Sequence, residues 1–230
     1  MEPPGLNEVS YFKIKPRVTL SELEAKLAEI NLSSEPEVRN AINILQRYQS
    51  YQKRASEVYV LEEHIYPVAM LSIEHELRQC SGVRIPKEFV AAALLHDTLE
   101  DTPISLAEFS ELFSASVSEI VLLLTDSIYS RNLNYEVKTR IKFGNLKDKR
   151  QAGVIALADK INNLLCMYTV PFIQEDGRPT PKFIDTVTIA ENIVKPFAEL
   201  TSKNFFDIML TEIINYYKSK YPYSFAHYKR

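Results

Sequence analysis

One segment constrains the fold of this chain more than any other, because an apolar run leads directly into four side chains that bind metals or transfer protons. The segment runs from Ala92 to Thr102, and its polar side chains include His96, Asp97, Glu100 and Asp101. In a helix, residues four apart share one face, so each acid of the later pair would lie beside one member of the earlier pair. Three carboxylates held so close together repel one another unless a cation lies among them. The spacing therefore predicts a helix that ends at a divalent-cation site.

The rest of the chain also favours helices, because apolar residues recur at helical spacing along most of it. Only 5 glycines occur among 230 residues, and alternating apolar and polar runs are scarce. One helix is predicted to begin near Pro86 and to reach the His96–Asp97 pair. Another is predicted from Val154 to Tyr168, with Asp159 and Asn163 one turn apart. We therefore expect an all-α fold, a single domain of about 8–11 helices around a metal site.

No linker rich in glycine or serine divides the chain, which is long enough for one sizeable core. We expect residues 1–33 to form an N-terminal appendage and residues 34–230 to form one domain that includes the closing C-terminal helices. Ser34 is predicted to cap the first helix of that domain. The closing helix predicted from Phe183 to Ala198 is expected to be kinked at Pro196.

Composition and charge argue against several classes of function. A formal net charge of −3 gives no reason to expect nucleic acid as the main partner. No apolar stretch approaches the roughly 20 residues that cross a bilayer, and the first residues do not resemble a signal peptide. Two distant cysteines, Cys80 and Cys166, suit a reducing compartment better than a disulfide scaffold. We expect a cytoplasmic protein without membrane or nucleic acid partners, while a homo-oligomer stays open.

Two further positions, His64 and Asp159, complete a recognisable pattern with the His-Asp pair. The pattern resembles the HD superfamily of metal-dependent phosphohydrolases, in which a lone His, a His-Asp pair and a distant Asp converge on one metal ion. The resemblance implies an HD-type fold and the metal ligands His64, His96, Asp97 and Asp159. Two imidazoles and two carboxylates form a mixed nitrogen and oxygen set that suits Mn²⁺ or a similar ion. Such an ion polarises a phosphoryl oxygen and lowers the pKa of a bound water.

Longer runs resemble one branch of that superfamily. Residues 93–102 and residues 157–164, Leu-Ala-Asp-Lys-Ile-Asn-Asn-Leu, are similar to the hydrolase domain of RelA/SpoT homologues, especially the stand-alone small alarmone hydrolases. The resemblance implies Mn²⁺-dependent removal of pyrophosphate from the 3′ position of guanosine tetra- and pentaphosphate, or of the adenosine analogue. It implies that Glu100 and Asp101 position or deprotonate the attacking water and that Asn163 orients the reactive group. Which carboxylate is the base stays open.

An alarmone carries more negative charge than one metal ion neutralises, so basic side chains should surround the cluster. The side chains predicted to bind its phosphates are Lys53, Arg54, Arg140 and Lys182.

The chain also departs from the family pattern. A turn ending Pro-Tyr-x-x-His-Pro, which precedes the first metal histidine in the family, is replaced here by residues 57–64, Glu-Val-Tyr-Val-Leu-Glu-Glu-His. Asn162 occupies a position where the family has histidine, and a structural role is the default there. Asp126 resembles a structural position of the family and is not predicted to join the site.

Other functions stay open at this stage. The changed approach to His64 leaves room for another nucleotide, such as NADPH at its 2′-phosphate or a nucleoside monophosphate. The chain could instead be a nucleotide-binding regulator whose chemistry has lapsed, although the intact set of six demanding positions argues against decay. Hydrolysis could also counter a toxin that synthesises alarmones, a partner that sequence alone does not identify.

Overall fold

The computed structural model describes residues 17–79, 84–126, 132–167 and 172–228, and the regular elements in these ranges are helical. The α-helices, in chain order, are α1 (Leu20–Glu29), α2 (Pro36–Gln49), α3 (Tyr66–Gln79), α4 (Lys87–Leu95), α5 (Thr98–Asp101), α6 (Leu106–Leu112), α7 (Ala115–Leu124), α8 (Tyr135–Asn145), α9 (Arg150–Leu165), α10 (Pro181–Ile189), α11 (Lys195–Thr201), α12 (Phe206–Lys220) and α13 (Pro222–His227). Two π turns, Leu61–Ile65 and Ala190–Val194, lead directly into α3 and α11. The all-α fold expected from the sequence is confirmed.

Short polar side chains determine where several helices begin. Thr19 forms a capping box at the start of α1, and Ser105 and Ser114 accept backbone N–H groups at the starts of α6 and α7. The cap predicted at Ser34 is wrong, because Glu35 occupies the cap position of α2 without a side-chain capping bond. Helix α2 begins instead with a proline, whose φ is already helical. None of the helices in the described ranges has the length and apolar character needed to cross a bilayer.

Helix α9 lies at the centre of the core. Most of its residues are buried, and it packs against α3, α7 and α12. Helix α4 is buried along nearly its whole length, and α2, α3 and α7 pack around it. Because α3 follows His64, α4 leads to the His96–Asp97 pair and α9 carries Asp159, this packing brings three remote segments to one place.

Helix α1 lies in the range expected to be an appendage. Its Leu23 and Leu27 are buried in the common core, and Lys26 forms an ion pair with Glu74 of α3 over 2.9 Å. The boundary between residues 33 and 34 stays a prediction. Residues 1–16 lie outside the described ranges, as do Cys80 and the expected helix end at Tyr168.

Candidate active site

A π turn, residues Leu61–Ile65, sets the position of His64 just before α3. Pro67 has no N–H to offer the carbonyl of Glu63, four residues earlier, so that carbonyl loses its usual helical donor. The side-chain Nδ2 of Asn162 on α9 donates to it instead, over 3.2 Å. This hydrogen bond therefore holds the irregular start of α3 against α9 beside the histidine. Such π turns are frequent at functional sites.

Hydrogen bonds to oxygen select one tautomer for each histidine. His64 Nδ1 donates to Asn162 Oδ1 over 2.7 Å, and His96 Nδ1 donates to the carbonyl of Ala93 over 2.9 Å. Since both partners are oxygen acceptors, each ring presents the lone pair of Nε2 to the site. The two Nε2 atoms lie 3.2 Å apart. Both imidazoles are therefore oriented as metal ligands.

The two predicted carboxylate ligands meet these nitrogens. Asp97 Oδ2 lies 3.0 Å from His64 Nε2 and 3.3 Å from His96 Nε2, and Asp159 Oδ1 lies 3.6 Å from His64 Nε2. Ligand atoms of His64, His96 and Asp159 all lie within 4.8 Å of one another. Bonds of about 2.1 Å at right angles place neighbouring donor atoms about 3.0 Å apart, so His64, His96 and Asp159 could hold one ion, and Asp97 lies beside both imidazoles.

The electrostatics of this cluster favour positive charge at its centre. Burial alone lowers the pKa of His96, but the carboxylates of Asp97 and Asp159 raise it to about 9. Burial alone raises the pKa of Asp97, yet His96 and His64 hold it well below its usual range. A divalent ion supplies positive charge at the same point while leaving both imidazoles neutral.

Glu100 and Asp101 experience the opposite shift. Burial raises the pKa of Glu100, although the backbone N–H of Asp126 donates to its Oε1 over 2.5 Å. Burial also raises the pKa of Asp101, and the charge of Asp97 adds to the effect. A carboxylate with a raised pKa is a better proton acceptor near neutral pH. The structure thus separates Asp97 and Asp159, whose pKa values are lowered, from Glu100 and Asp101, whose pKa values are raised.

Asn163 connects Asp159 to a basic side chain. Its Nδ2 donates to Asp159 Oδ1 over 2.5 Å, and its Oδ1 accepts from Arg54 Nη2 over 2.8 Å. Both residues of α9 share one face because they are one turn apart.

A cavity of about 340 Å³, here called the main cavity, opens over the cluster. It is lined by five carboxylates, those of Asp97, Glu100, Asp101, Asp126 and Asp159, and by four cations, those of Arg54, Lys138, Lys142 and Lys160. A divalent ion held by the cluster would turn this excess of one negative charge into an excess of one positive charge. The cavity would then attract anions.

The four predicted phosphate-binding side chains fall in different places. Arg54 lines the main cavity and also an adjoining cavity of about 700 Å³, here called the side cavity, which Lys182 lines as well. Lys53 does not line either cavity as the described residues form them. Its Nζ lies 3.8 Å from Glu57 Oε2. The structure does not bring Arg140 to either cavity: its side chain is 64% exposed and bonds to Glu136, one turn earlier on α8.

The structure adds residues that the sequence did not indicate. Asn162 orients His64. Asn162 lies three residues after Asp159, and this spacing indicates that both side chains share one face of α9. Lys160 is buried beside Asp159, and although burial lowers its pKa, that carboxylate raises it strongly overall. Asp126, which the sequence left out of the site, lines the main cavity.

Comparison with known proteins bears on both fold and chemistry. No protein-family model matches the chain. Guanosine-3′,5′-bis(diphosphate) 3′-pyrophosphohydrolase MESH1 of Drosophila melanogaster is 38% identical over 74 residues, which make up 32% of this chain and 40% of that protein. MESH1 of Danio rerio is 37% identical over 78 residues, 34% of this chain and 42% of that protein. The chain thus aligns with about two-fifths of the length of these relatives.

A solved structure of a metazoan orthologue of SpoT, described as hydrolysing ppGpp and acting in starvation responses, matches with a TM-score of 0.60. The match covers 80% of this chain and 96% of that chain at 21% sequence identity. The chain has the all-α HD-type fold. The resemblance to HD-superfamily alarmone hydrolases expected from the sequence is confirmed. In this fold, the candidate ligands come from α9 and from the segments bordering α3 and α4.

Proposed function

We propose that the chain is a metal-dependent hydrolase that removes pyrophosphate from the 3′ position of (p)ppGpp. One observation carries the proposal: three remote segments bring two oriented imidazoles and two carboxylates together, beside two more basic carboxylates. The activities named for the MESH1 relatives and for the SpoT orthologue agree with it. When bound, a divalent ion, which we propose to be Mn²⁺, polarises a phosphoryl oxygen and lowers the pKa of a bound water.

The residues of the chain then have distinct tasks in the reaction. Glu100 and Asp101 orient a water and accept its proton as its oxygen bonds to the phosphorus attached to the 3′ oxygen. The bond from that phosphorus to the 3′ oxygen breaks, and the 3′ oxygen takes up a proton. Arg54 and Asn163 orient the nucleotide beside Asp159. The products are pyrophosphate and the nucleoside 5′-diphosphate or 5′-triphosphate.

The test is to incubate the purified protein with guanosine tetraphosphate and Mn²⁺, and to measure GDP and pyrophosphate. We expect equal amounts of both products, loss of activity with a chelator, and loss in His96→Ala. Parallel reactions contain the adenosine analogue, NADPH and nucleoside monophosphates. Release of phosphate from NADPH or a monophosphate, without cleavage of either alarmone, would contradict the proposed substrate. No hydrolysis with any of several divalent metals would overturn the proposed activity.

Several properties of the whole protein stay predictions: a cytoplasmic location, a homo-oligomer, a role against an alarmone-synthesising toxin and the division at residues 33 and 34. Size-exclusion chromatography of the purified chain tests whether it forms a homo-oligomer. Survival of cells that express an alarmone-synthesising toxin together with this chain tests the role against such a toxin.

A further inference from the structure

Helix α8 presents two lysines to the main cavity. Lys138 and Lys142 are one helical turn apart, so their side chains lie on one face of α8. Both line the main cavity, and their side chains are only 25% and 20% exposed. Arg140, between them in sequence, projects elsewhere and is 64% exposed.

The two ammonium groups share one carboxylate. Asp126 lies 4.0 Å from Lys138 Nζ and 3.6 Å from Lys142 Nζ. In the part of the chain that the structure describes, Asp126 is the one carboxylate within 4.0 Å of either nitrogen. Two ammonium groups offer six N–H donors, far more than one carboxylate at these distances occupies.

The other two cations of the main cavity are already engaged. Lys160 Nζ lies 3.1 Å from Asp159 Oδ2, and Arg54 donates to Asn163 over 2.8 Å. Lys138 and Lys142 are held less closely, since the carboxylate that they share lies 3.6 Å or more from either nitrogen.

The two cavities have different linings, and this difference indicates how a nucleotide would be oriented across them. The side cavity shares Arg54, Tyr135, Lys160 and Asn163 with the main cavity, and it adds apolar walls from Met167, Phe172 and Ile189. Lys138 and Lys142 line the main cavity but not the side cavity. Apolar walls suit a nucleoside, whereas paired ammonium groups suit phosphate oxygens.

We infer that Lys138 and Lys142 form the subsite for the distal phosphate of the 3′-pyrophosphate. The inference rests on the proposed function for the identity of the substrate. With the nucleoside toward the side cavity and the proximal phosphorus at the metal ligands, the distal phosphate reaches α8. Its charge is then neutralised by the two lysines, which also hold the pyrophosphate after the bond to the 3′ oxygen breaks.

The first experiment measures binding of inorganic pyrophosphate and, separately, of GDP to the metal-loaded protein by isothermal titration calorimetry. We expect Lys138→Gln and Lys142→Gln each to weaken pyrophosphate binding about tenfold, with GDP binding unchanged within about twofold. Arg140→Gln is the matched control, since it removes one positive charge from the same helix outside the cavities. Unchanged pyrophosphate binding in both lysine variants overturns the inference, and so does an equal loss in Arg140→Gln.

A second measurement compares two substrates that differ in the distal phosphate alone. We expect the lysine variants to raise KM about tenfold for guanosine tetraphosphate. For GDP that carries a single 3′-phosphate, we expect the lysine variants and the wild type to have the same Kd. Equal effects on both nucleotides overturn the subsite. If the wild-type chain cleaves no alarmone, the proposed function fails. The pyrophosphate site still stands in that case if the lysine variants bind inorganic pyrophosphate more weakly than the wild type does.

Discussion

At the scale of single residues, Asn162 determines which nitrogen of His64 faces the metal. Its Oδ1 accepts from Nδ1, and its Nδ2 donates to the carbonyl of Glu63. We expect Asn162→Ala to weaken Mn²⁺ binding by about 10- to 100-fold, because outer hydrogen-bond partners of metal-bound histidines contribute that much. Calorimetric metal titration measures the change. Asn162→Asp keeps an oxygen acceptor and should retain most of the affinity, and full affinity in Asn162→Ala would contradict this role.

The two carboxylates with raised pKa should affect turnover rather than metal binding. We expect Asp101→Asn and Glu100→Gln to lower kcat by about 10²- to 10⁴-fold if the altered group is the base, and less if it positions water. Metal affinity should stay within about threefold of wild type, since neither side chain belongs to the ligand cluster. Steady-state kinetics with metal titration identify the base. A nucleotide-binding regulator would instead keep its effect in both variants.

The sequence predicted the residues whose chemistry is rare and whose spacing is tight. His96, Asp97, Glu100 and Asp101 could be selected from their spacing at the end of an apolar run, whereas His64 and Asp159 were selected through the resemblance to the HD superfamily. Sequence could not rank Lys138 and Lys142 above Arg140, because all three are basic residues of one helix and lysines on a helix usually face solvent. Arg140 was predicted from the sequence to bind phosphate, but it lies on the exposed face of α8. Which face of α8 meets the site depends on tertiary packing, which the sequence alone does not give.

At the scale of elements, the π turn before α3 holds both His64 and Glu63 in the core. Glu63, within it, is almost fully buried. Its Oε2 accepts from the hydroxyl of Ser56 and lies 3.9 Å from Arg54 Nε. The turn therefore anchors the loop that carries Arg54 into both cavities.

Glu63→Gln should consequently weaken substrate binding more than turnover. Without the carboxylate charge, Arg54 is held less firmly against Asn163, and we expect KM to rise about five- to tenfold with kcat within about threefold. Kinetics with guanosine tetraphosphate give the split, and thermal unfolding checks that the variant folds. Glu62→Gln removes the same charge one residue away and serves as the control. A fall in kcat with unchanged KM would show that Glu63 acts on the metal cluster instead.

Helix existence was predictable from apolar periodicity, but the π turns were not. A π turn depends on where freed carbonyls find donors, and the donor for Glu63 comes from Asn162, 99 residues away in sequence. Pro67 and Pro196 signalled only that regular hydrogen bonding would be interrupted nearby. A kink at Pro196 stays a prediction; the Ala190–Val194 π turn lies directly before α11, which carries this proline.

At the scale of the whole molecule, the site exists because α3, α4 and α9 keep fixed positions relative to one another. The helical class followed from composition and periodicity, whereas the pairing of α3 with α9 needed the structure. A polar bridge supports that pairing. Arg150 of α9 donates through Nη1 and Nη2 to the two oxygens of Glu76 on α3, over 2.9 and 2.8 Å. His75 Nδ1 lies 3.0 Å from the same carboxylate.

This bridge predicts how stability depends on pH. Burial alone raises the pKa of Glu76, but hydrogen bonds from His75 and Arg150 outweigh it and lower the pKa below its ordinary 4.5. A carboxyl whose pKa is lower in the folded state stabilises the fold fully above the unfolded value and loses that contribution as pH falls through the folded value. The free energy of unfolding should therefore drop below pH 4.5. In Glu76→Gln, urea unfolding between pH 6 and pH 3 should show lower stability at pH 6 and a shallower fall. Equal slopes in variant and wild type would mean that this bridge does not couple protons to the packing of α3 on α9.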